Sequence, residues 1–446
     1  MGIRSLGLVK TPLASLARLR KHPVLKSVGQ LVIGSSVTTV ITFVAGLLIA
    51  RWISPERMGL WNAVSLVSVY GPYITLGVFN GLNRELPFLI GQGRQEEAHR
   101  VASASYAWAI VLAALTLPAT LLWSGSHLLA GRQLQAVASF GVGVGVLLSW
   151  PGMYLNTTYR THAEFARLAI NSAVVAALGL LLVALVRLYD FNGLVVRAIL
   201  VSGLSLAVLY YRKPLSVRPR WSTRRMIQLV KVGFPIYMVG QLYSFFASLD
   251  RLVLVGHTQT LGYYTLAIQV GAAVRMLPGS FNTVVYPRMA HRYGETGRAA
   301  DLWRMGLRSA AAATLLGAGI GVLSWIGVPP LVRWFLPRYA PGIPAAQWAS
   351  LLGMAMGFYP LAQIFNVIKR QDLYAAGWGV GLALFLVVFL LLARSNELTR
   401  ATSSAQAMLA GTLSSNLVWT ILAKYACVAH DRRLDRRIDE GPDAPH

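Results

Sequence analysis

Apolar residues run through this chain in long continuous stretches, not in alternation. Runs of about 20 residues, the length a helix needs to cross a ~30 Å hydrocarbon core at 1.5 Å per residue, recur from end to end. Twelve are drawn: 28–50, 59–80, 101–123, 134–155, 168–187, 193–211, 233–255, 263–286, 309–328, 345–367, 374–393 and 402–423. Alternating strands of a membrane β-barrel would read differently, so the pattern predicts an all-α membrane protein. A basic leader, residues 1–27, precedes the first run, which is too long for the apolar core of a signal peptide.

Composition sharpens this. Of 446 residues, 55% are apolar and 13% charged, with mean hydropathy +0.54. Soluble domains carry roughly 25% charged residues. A water-soluble enzyme, a secreted scaffold and a disordered chain are thereby excluded. The balance of 41 Lys and Arg against 16 Asp and Glu gives a net charge of +25. In a soluble protein that would point to nucleic acid. Here it follows the positive-inside pattern, and no nucleic-acid partner is expected. Thirty of the 41 basic residues fall in segments that share a side if the N-terminus is cytoplasmic. Eight fall on the other side, and Arg197, Arg251 and Arg275 lie within runs. This asymmetry predicts an even number of spans with both termini cytoplasmic. Trp52, Trp61, Trp123, Trp150, Trp303, Trp325 and Trp334 lie near span ends, as interfacial rings do. The single cysteine, Cys427, sits in an apolar stretch and reads as packing.

Two halves of the chain correspond. Gly59-Leu-Trp61 and Gly262-Tyr-Tyr264 each precede a run, and Gly91 and Gly294 each follow one; both glycine pairs are 203 residues apart. Asn156 to Arg160 corresponds to Asn366 to Arg370, and Arg212-Lys213 to Arg432-Arg433. The repeat is parallel, which predicts two six-helix lobes, 28–211 and 233–423, about a pseudo-two-fold axis along the membrane normal, with a cleft between them. The basic stretch 212–232, with Pro214, Pro219 and Trp221, is expected to join them as an amphipathic surface helix lying on anionic lipid. Residues 424–446 are expected to form a cytoplasmic tail.

Chemistry-bearing motifs are scarce. Outer loops are short; the longest, near 329–344, is far below the ~50 residues a folded domain needs. No phosphate-binding GxxxxGK[ST] loop occurs. Gly141-Val-Gly-Val-Gly145 lies inside an apolar run and reads as close helix packing. His162 and Glu164 have no further ligands nearby. The expectation is a protein without catalytic residues, metal or cofactor, and not an enzyme. Candidate function therefore rests on charges inside the bilayer, each costing at least ~2.5–3.5 kcal/mol on insertion scales. Arg275 falls near mid-depth. It marks either a water-filled, anion-attracting cavity or a buried pair with an acid. Asp250, the one acid within a run, is either a coupling site for a proton or sodium ion or the partner of Arg251, Arg197 or Arg275. Consecutive residues do not face each other on a helix, so Asp250 and Arg251 are not expected to meet. Arg197 is expected to snorkel to the nearer surface. Arg84 and Lys231 are placed at cytoplasmic mouths. The excess of intramembrane arginine suits an anionic cargo.

Ala50-Arg-Trp-Ile-Ser-Pro-Glu-Arg-Met-Gly-Leu-Trp61 resembles the first outer turn of polysaccharide flippases. Leu76-Gly-Val-Phe-Asn-Gly-Leu-Asn-Arg-Glu-Leu-Pro87 with Gly91-Gln-Gly93 resembles their inner loop after the second helix. Gly233-Phe-Pro235, Asp250-Arg251, Gly262-Tyr-Tyr-Thr-Leu-Ala267, Tyr286-Pro-Arg288 and Leu336-Pro-Arg-Tyr339 with Gly342 are similar to the later pattern. The resemblance spans most of 28–370. It is to the Wzx-type O-antigen and polysaccharide flippases of the multidrug, oligosaccharidyl-lipid and polysaccharide exporter superfamily. It implies two six-helix lobes about a central cavity in a bacterial inner membrane. It also implies movement of an undecaprenyl-diphosphate-linked glycan from the cytoplasmic to the periplasmic leaflet, for O-antigen or other surface polysaccharide. Expected partners are that lipid-linked glycan, membrane lipids, and a polysaccharide polymerase with its chain-length machinery. Arg275, with Arg251 and Arg84, is the expected diphosphate-binding set; Arg275 resembles, by position, the cavity arginine of lipid II flippases. Alternatives are a cation-coupled small-molecule exporter using Asp250, and a membrane glycan polymerase or ligase.

Overall fold

The computed structural model describes residues 23–393 and 397–439. The leader over 1–22 and the end of the tail over 440–446 lie outside these. Among the described residues every regular element is helical. The first lobe begins with α1 (Pro23–Trp52). The second traverse is broken: α2 (Pro55–Tyr70) passes through a 3-10 turn, Gly71–Thr75, into α3 (Val78–Gly91) with a bend of 53°. Gly71-Pro72 starts the turn, and Leu76 and Gly77, both at positive φ, close it. Next come α4 (Gln95–Leu129), α5 (Gln133–Thr161), α6 (Phe165–Leu181) and α7 (Val183–Tyr211). Within α7 the chain reverses at Asp190 (φ 52°), so the sixth traverse starts there. A Cβ on Gly193 would lie 2.0 Å from the Leu185 carbonyl oxygen, so the two arms of the reversal meet backbone to backbone.

The second lobe begins with α8 (Thr223–Phe246), followed by two short helices, α9 (Leu249–Leu252) and α10 (Thr258–Tyr263). It continues with α11 (Thr265–Thr296) and α12 (Ala299–Phe335). The tenth traverse is segmented into α13 (Ile343–Ser350), α14 (Leu352–Ala355) and α15 (Tyr359–Val367). The antiparallel pair α16 (Gln371–Leu392) and α17 (Glu397–Asp439) completes it. Among the described residues six helical segments are long and apolar enough to cross a membrane, or up to eight if each of two bent pairs is one span. Val37–Trp52 and Phe165–Leu181 are shorter apolar helices, and α11 and α17 are longer but more polar. Large apolar side chains such as Leu122, Leu315 and Leu323 face outward, where only lipid tails could cover them.

Several helices end the same way. A residue at positive φ follows the last turn, and the next amide reaches back five residues, satisfying carbonyls that would otherwise be stranded. Arg94 N donates to Leu89 O, Arg132 N to His127 O, Glu164 N to Tyr159 O and Arg370 N to Phe365 O, at 2.9–3.0 Å. The residues at positive φ are Gly93, Gly131, Ala163 and Lys369. The turns at 163 and 369 occupy corresponding places in the two lobes.

Each lobe has its own apolar core. One is built on Leu82, Leu86, Trp150 and Tyr154, the other on Tyr264, Phe365, Phe385 and Trp419. A third cluster joins the lobes at the end holding the 53–54 turn, the end that the charge asymmetry predicts to be outer. There Ile53, Met58, Val186 and Phe191 pack with Leu266, Val274, Tyr339 and Ile343. The repeat is visible in this seam. A Cβ on Gly59 would sit 1.6 Å from the Thr258 carbonyl oxygen, and one on Gly262 would sit 1.8 Å from that of Pro55. Pro55 and Thr258 are themselves 203 residues apart. Asn62 Nδ2 donates to Thr265 Oγ1 at 2.7 Å, again with a separation of 203. Residues touching their own repeat images mark the pseudo-two-fold axis.

The structure corrects four expectations. The stretch 212–222 is not a helix; Pro219 lacks the amide a helix needs, and Leu215 and Val217 instead pack onto the first lobe. Trp150 is buried, with its indole N–H donating to Thr116, so it is a core residue and not an interfacial one. Pro329 and Pro330 lie inside α12, and the connection after it is the compact turn Pro337–Gly342, anchored by the buried Tyr339 hydroxyl donating to Ile53 O at 3.0 Å. α17 continues to Asp439 through the expected tail. Asp431 there accepts the amides of Ala299 and Ala300 at 2.7 and 2.9 Å, which caps the N-terminus of α12.

Candidate functional site

The intramembrane charges sort by what satisfies them. Arg197 does not snorkel; its Nε donates to the Gly179 carbonyl of α6 at 2.8 Å. Asp250 lies in α9, beyond the end of α8, and is 7% exposed. Its Oδ2 accepts the Tyr264 hydroxyl and its Oδ1 the Arg251 amide, each at 2.8 Å. Its backbone carbonyl accepts Ser404 Oγ of α17, also at 2.8 Å. Arg251 Nε stands 3.8 Å from Asp250 Oδ1. The neighbours therefore do meet, contrary to the helical expectation, because α8 has already ended and α9 is a single turn.

Arg275 differs. It lies in α11, about 15 Å along the helix from Thr265 at 1.5 Å per residue. Its side chain runs back toward the helix start, as long helical side chains do. Nε donates to Gly271 O at 2.8 Å. A Cβ on Gly271 would lie in ordinary contact, 3.4 Å, with its guanidinium. Among the described residues no carboxylate lies within ion-pair distance of it. The same lobe carries an aromatic wall.

That wall comes from four traverses of the second lobe. Tyr359 packs edge-on against Tyr243 and Trp419, with centroids 6.1 and 5.6 Å away. Trp378 lies 5.4 Å from Tyr243 and 4.7 Å from Trp419. Tyr374 stacks on Trp419 at 5.4 Å. Tyr359 is 7% exposed, and its hydroxyl has no hydrogen-bond partner among the described residues. Tyr243, 37% exposed, is the outward member. Across the seam Tyr73 O–H donates to Gln241 O at 3.1 Å, and the Tyr70 and Ser248 hydroxyls pair at 2.8 Å.

The structure thus places Asp250, Arg251 and Arg275 in one lobe, with Tyr264 bonded to Asp250. Arg84 stands apart, exposed on α3 of the other lobe. Sequence reasoning missed the aromatic wall. Its members are drawn from separate traverses spread between Tyr243 and Trp419, so no local spacing announces them. Among the described residues no group of three His, Cys, Asp or Glu is placed to hold a metal ion.

Comparison with known proteins agrees with this architecture. The solved structure of a multidrug resistance MATE family transporter of the MOP superfamily, in an inward-facing conformation, superposes with a TM-score of 0.71 at 13% identity, covering 89% of this chain and 96% of that one. The same description in an outward-facing conformation gives 0.65 at 13% identity, covering 91% and 96%. The lipid II flippase MurJ, in an inward closed conformation, gives 0.65 at 12% identity, covering 90% and 91%. At these identities the likeness establishes the fold. No curated protein matches by sequence. The family model described as "Polysaccharide biosynthesis protein" matches residues 48–316, more than half of the chain. This multi-pass membrane protein belongs to the polysaccharide biosynthesis protein family.

Proposed function

We propose that the protein is a flippase, not an enzyme, and that it carries a polyprenyl-diphosphate-linked oligosaccharide from the cytoplasmic to the periplasmic leaflet of a bacterial inner membrane, for O-antigen or a related surface polysaccharide. The observation that carries this reading is Arg275, a partly exposed intramembrane guanidinium with no carboxylate partner among the described residues. A cationic site of that kind attracts a diphosphate and repels a cation. Arg251 is half neutralised by Asp250 and contributes less. Arg84, exposed on α3, would meet the head group earlier, at the cytoplasmic mouth. Family membership supplies the glycan context.

The mechanism is alternating access. The charged head group occupies the second-lobe site while the polyprenyl tail remains in lipid. The lobes part and close again at the seam that carries the glycine contacts of Gly59 and Gly262. The breaks at Gly71–Thr75 in the second traverse and at 247–264 beyond α8 give the seam helices places to bend. Cation-coupled export is disfavoured because the Asp250 carboxylate already accepts Tyr264 and Arg251. A strain lacking the protein is expected to accumulate lipid-linked repeat units on the cytoplasmic face and to lose its surface glycan. Normal surface glycan in that strain would refute the reading.

A further inference from the structure

On the face predicted to be cytoplasmic, the extended stretch 212–222 does more than join the lobes. It lies across the start of α4 and leads into α8, enclosing a pocket of about 550 Å³. The pocket wall carries Arg100 and Ser103 of the first lobe, Arg218 and Arg220 of the connector, and Arg225 in the first turn of the second lobe. The connector is fixed in place: Arg220 N donates to Ser103 O at 3.3 Å, and Trp221 packs on Trp108 with centroids 5.9 Å apart. The nearby acids are already engaged. Glu96 pairs with Arg100 at 2.5 Å. Glu97 takes hydrogen bonds from Arg94, which hold its carboxyl below the ordinary range. Arg218, Arg220 and Arg225 form no ion pair with any described carboxylate. Trp221 of the pocket wall is exposed, as are Tyr211, which ends α7 just before the connector, and Ile227 in the first turns of α8. Exposed Trp and Tyr beside arginine mark the level where head groups meet hydrocarbon.

We propose that this pocket binds the phosphate of an anionic phospholipid head group, held between Arg218, Arg220 and Arg225 across the junction of the two lobes. Free phosphate and the polyprenyl phosphate of the cargo share that chemistry. Exposed Trp221 in the wall, with exposed Tyr211 and Ile227 on the helices that flank the connector, favours a resident membrane lipid over a free ion. The site lies in the connector, α4 and the first turn of α8, on elements other than the one that carries Arg275, and its existence does not depend on the cargo proposed above.

The test uses the full-length protein purified in neutral detergent, with bound lipid read by native mass spectrometry. Phosphatidylglycerol is expected to bind well above phosphatidylcholine. The Arg218→Gln/Arg220→Gln variant should bind it at least tenfold more weakly, given about fivefold per basic residue at a membrane surface. Arg304→Gln/Arg308→Gln, which removes the same charge from the same face, should bind it as the unmodified protein does. An unchanged melting temperature without lipid shows that the pocket variant is folded; if it does not express, Arg225→Gln carries the same comparison. Equal loss in both variants, or none in either, overturns the proposal. So does displacement by millimolar inorganic phosphate, or tenfold tighter binding of undecaprenyl phosphate, since those outcomes assign the pocket to a free ion or to the cargo.

Discussion

Arg275→Ala is expected to leave the protein folded in the membrane and to abolish flipping. The side chain is partly exposed and makes one hydrogen bond, to a carbonyl of its own helix, so its loss opens no apolar core. Its removal takes away a partly exposed intramembrane guanidinium that pairs with no carboxylate among the described residues. A unit charge pair at 4 Å gains ~4 kcal/mol at an effective dielectric near 20, before desolvation. At 1.4 kcal/mol per decade, that is close to a thousandfold in occupancy. Surface glycan should fall by roughly a hundredfold or more, with undiminished protein in the membrane fraction. Arg275→Lys keeps the charge but loses the planar fork that matches phosphate oxygens, and should retain partial activity. Wild-type surface glycan in the alanine variant would remove Arg275 from the account.

Gly59→Val is expected to stop transport by propping the outer end open. The glycine's α-carbon faces the Thr258 carbonyl across the seam, and a β-carbon there would lie 1.6 Å from that oxygen, far inside contact distance. Backbone cannot yield as a side-chain tip can, so the lobes must part. Gly262→Val should act alike, since its β-carbon would lie 1.8 Å from the Pro55 carbonyl oxygen. In a membrane preparation, Asn62→Cys should react slowly with an impermeant thiol reagent on its own and several-fold faster when combined with Gly59→Val. The native Cys427 is buried and adds little labelling. Unimpaired transport by Gly59→Val would show that the outer end need not close.

Much of this was readable from the chain because the bilayer enforces it. Spans must be about 20 residues long and apolar, so their order and number are written openly. The axis was readable too, through Gly59 and Gly262: a glycine is required where repeat images touch, and the touching pair keeps its spacing of 203. Local geometry was harder. The expectation that Asp250 and Arg251 point apart assumed an unbroken helix, and nothing in Ser244-Phe-Phe-Ala-Ser-Leu-Asp250 announces that α8 ends at Phe246. The connector's charge suggested a surface helix, whereas Pro214, Pro219 and the apolar anchors Leu215 and Val217 decided against one. The docking of α17 onto α12 through Asp431, and the wall of Tyr243, Tyr359, Trp378 and Trp419, depend on residues brought together from distant traverses. Such contacts leave no period in a single sequence.

The most direct measurement is flipping by the purified protein in vesicles. Undecaprenyl-diphosphate-linked oligosaccharide is placed in both leaflets, and an impermeant oxidant attacks only the sugars facing outward. In protein-free vesicles the reaction should halt once the outer-leaflet share is consumed. In vesicles holding the protein it should continue until the whole pool is oxidised, and in those holding Arg275→Ala it should halt as in the protein-free case. The same halt with the unmodified protein, in vesicles shown to be sealed and to contain it folded, would contradict the account.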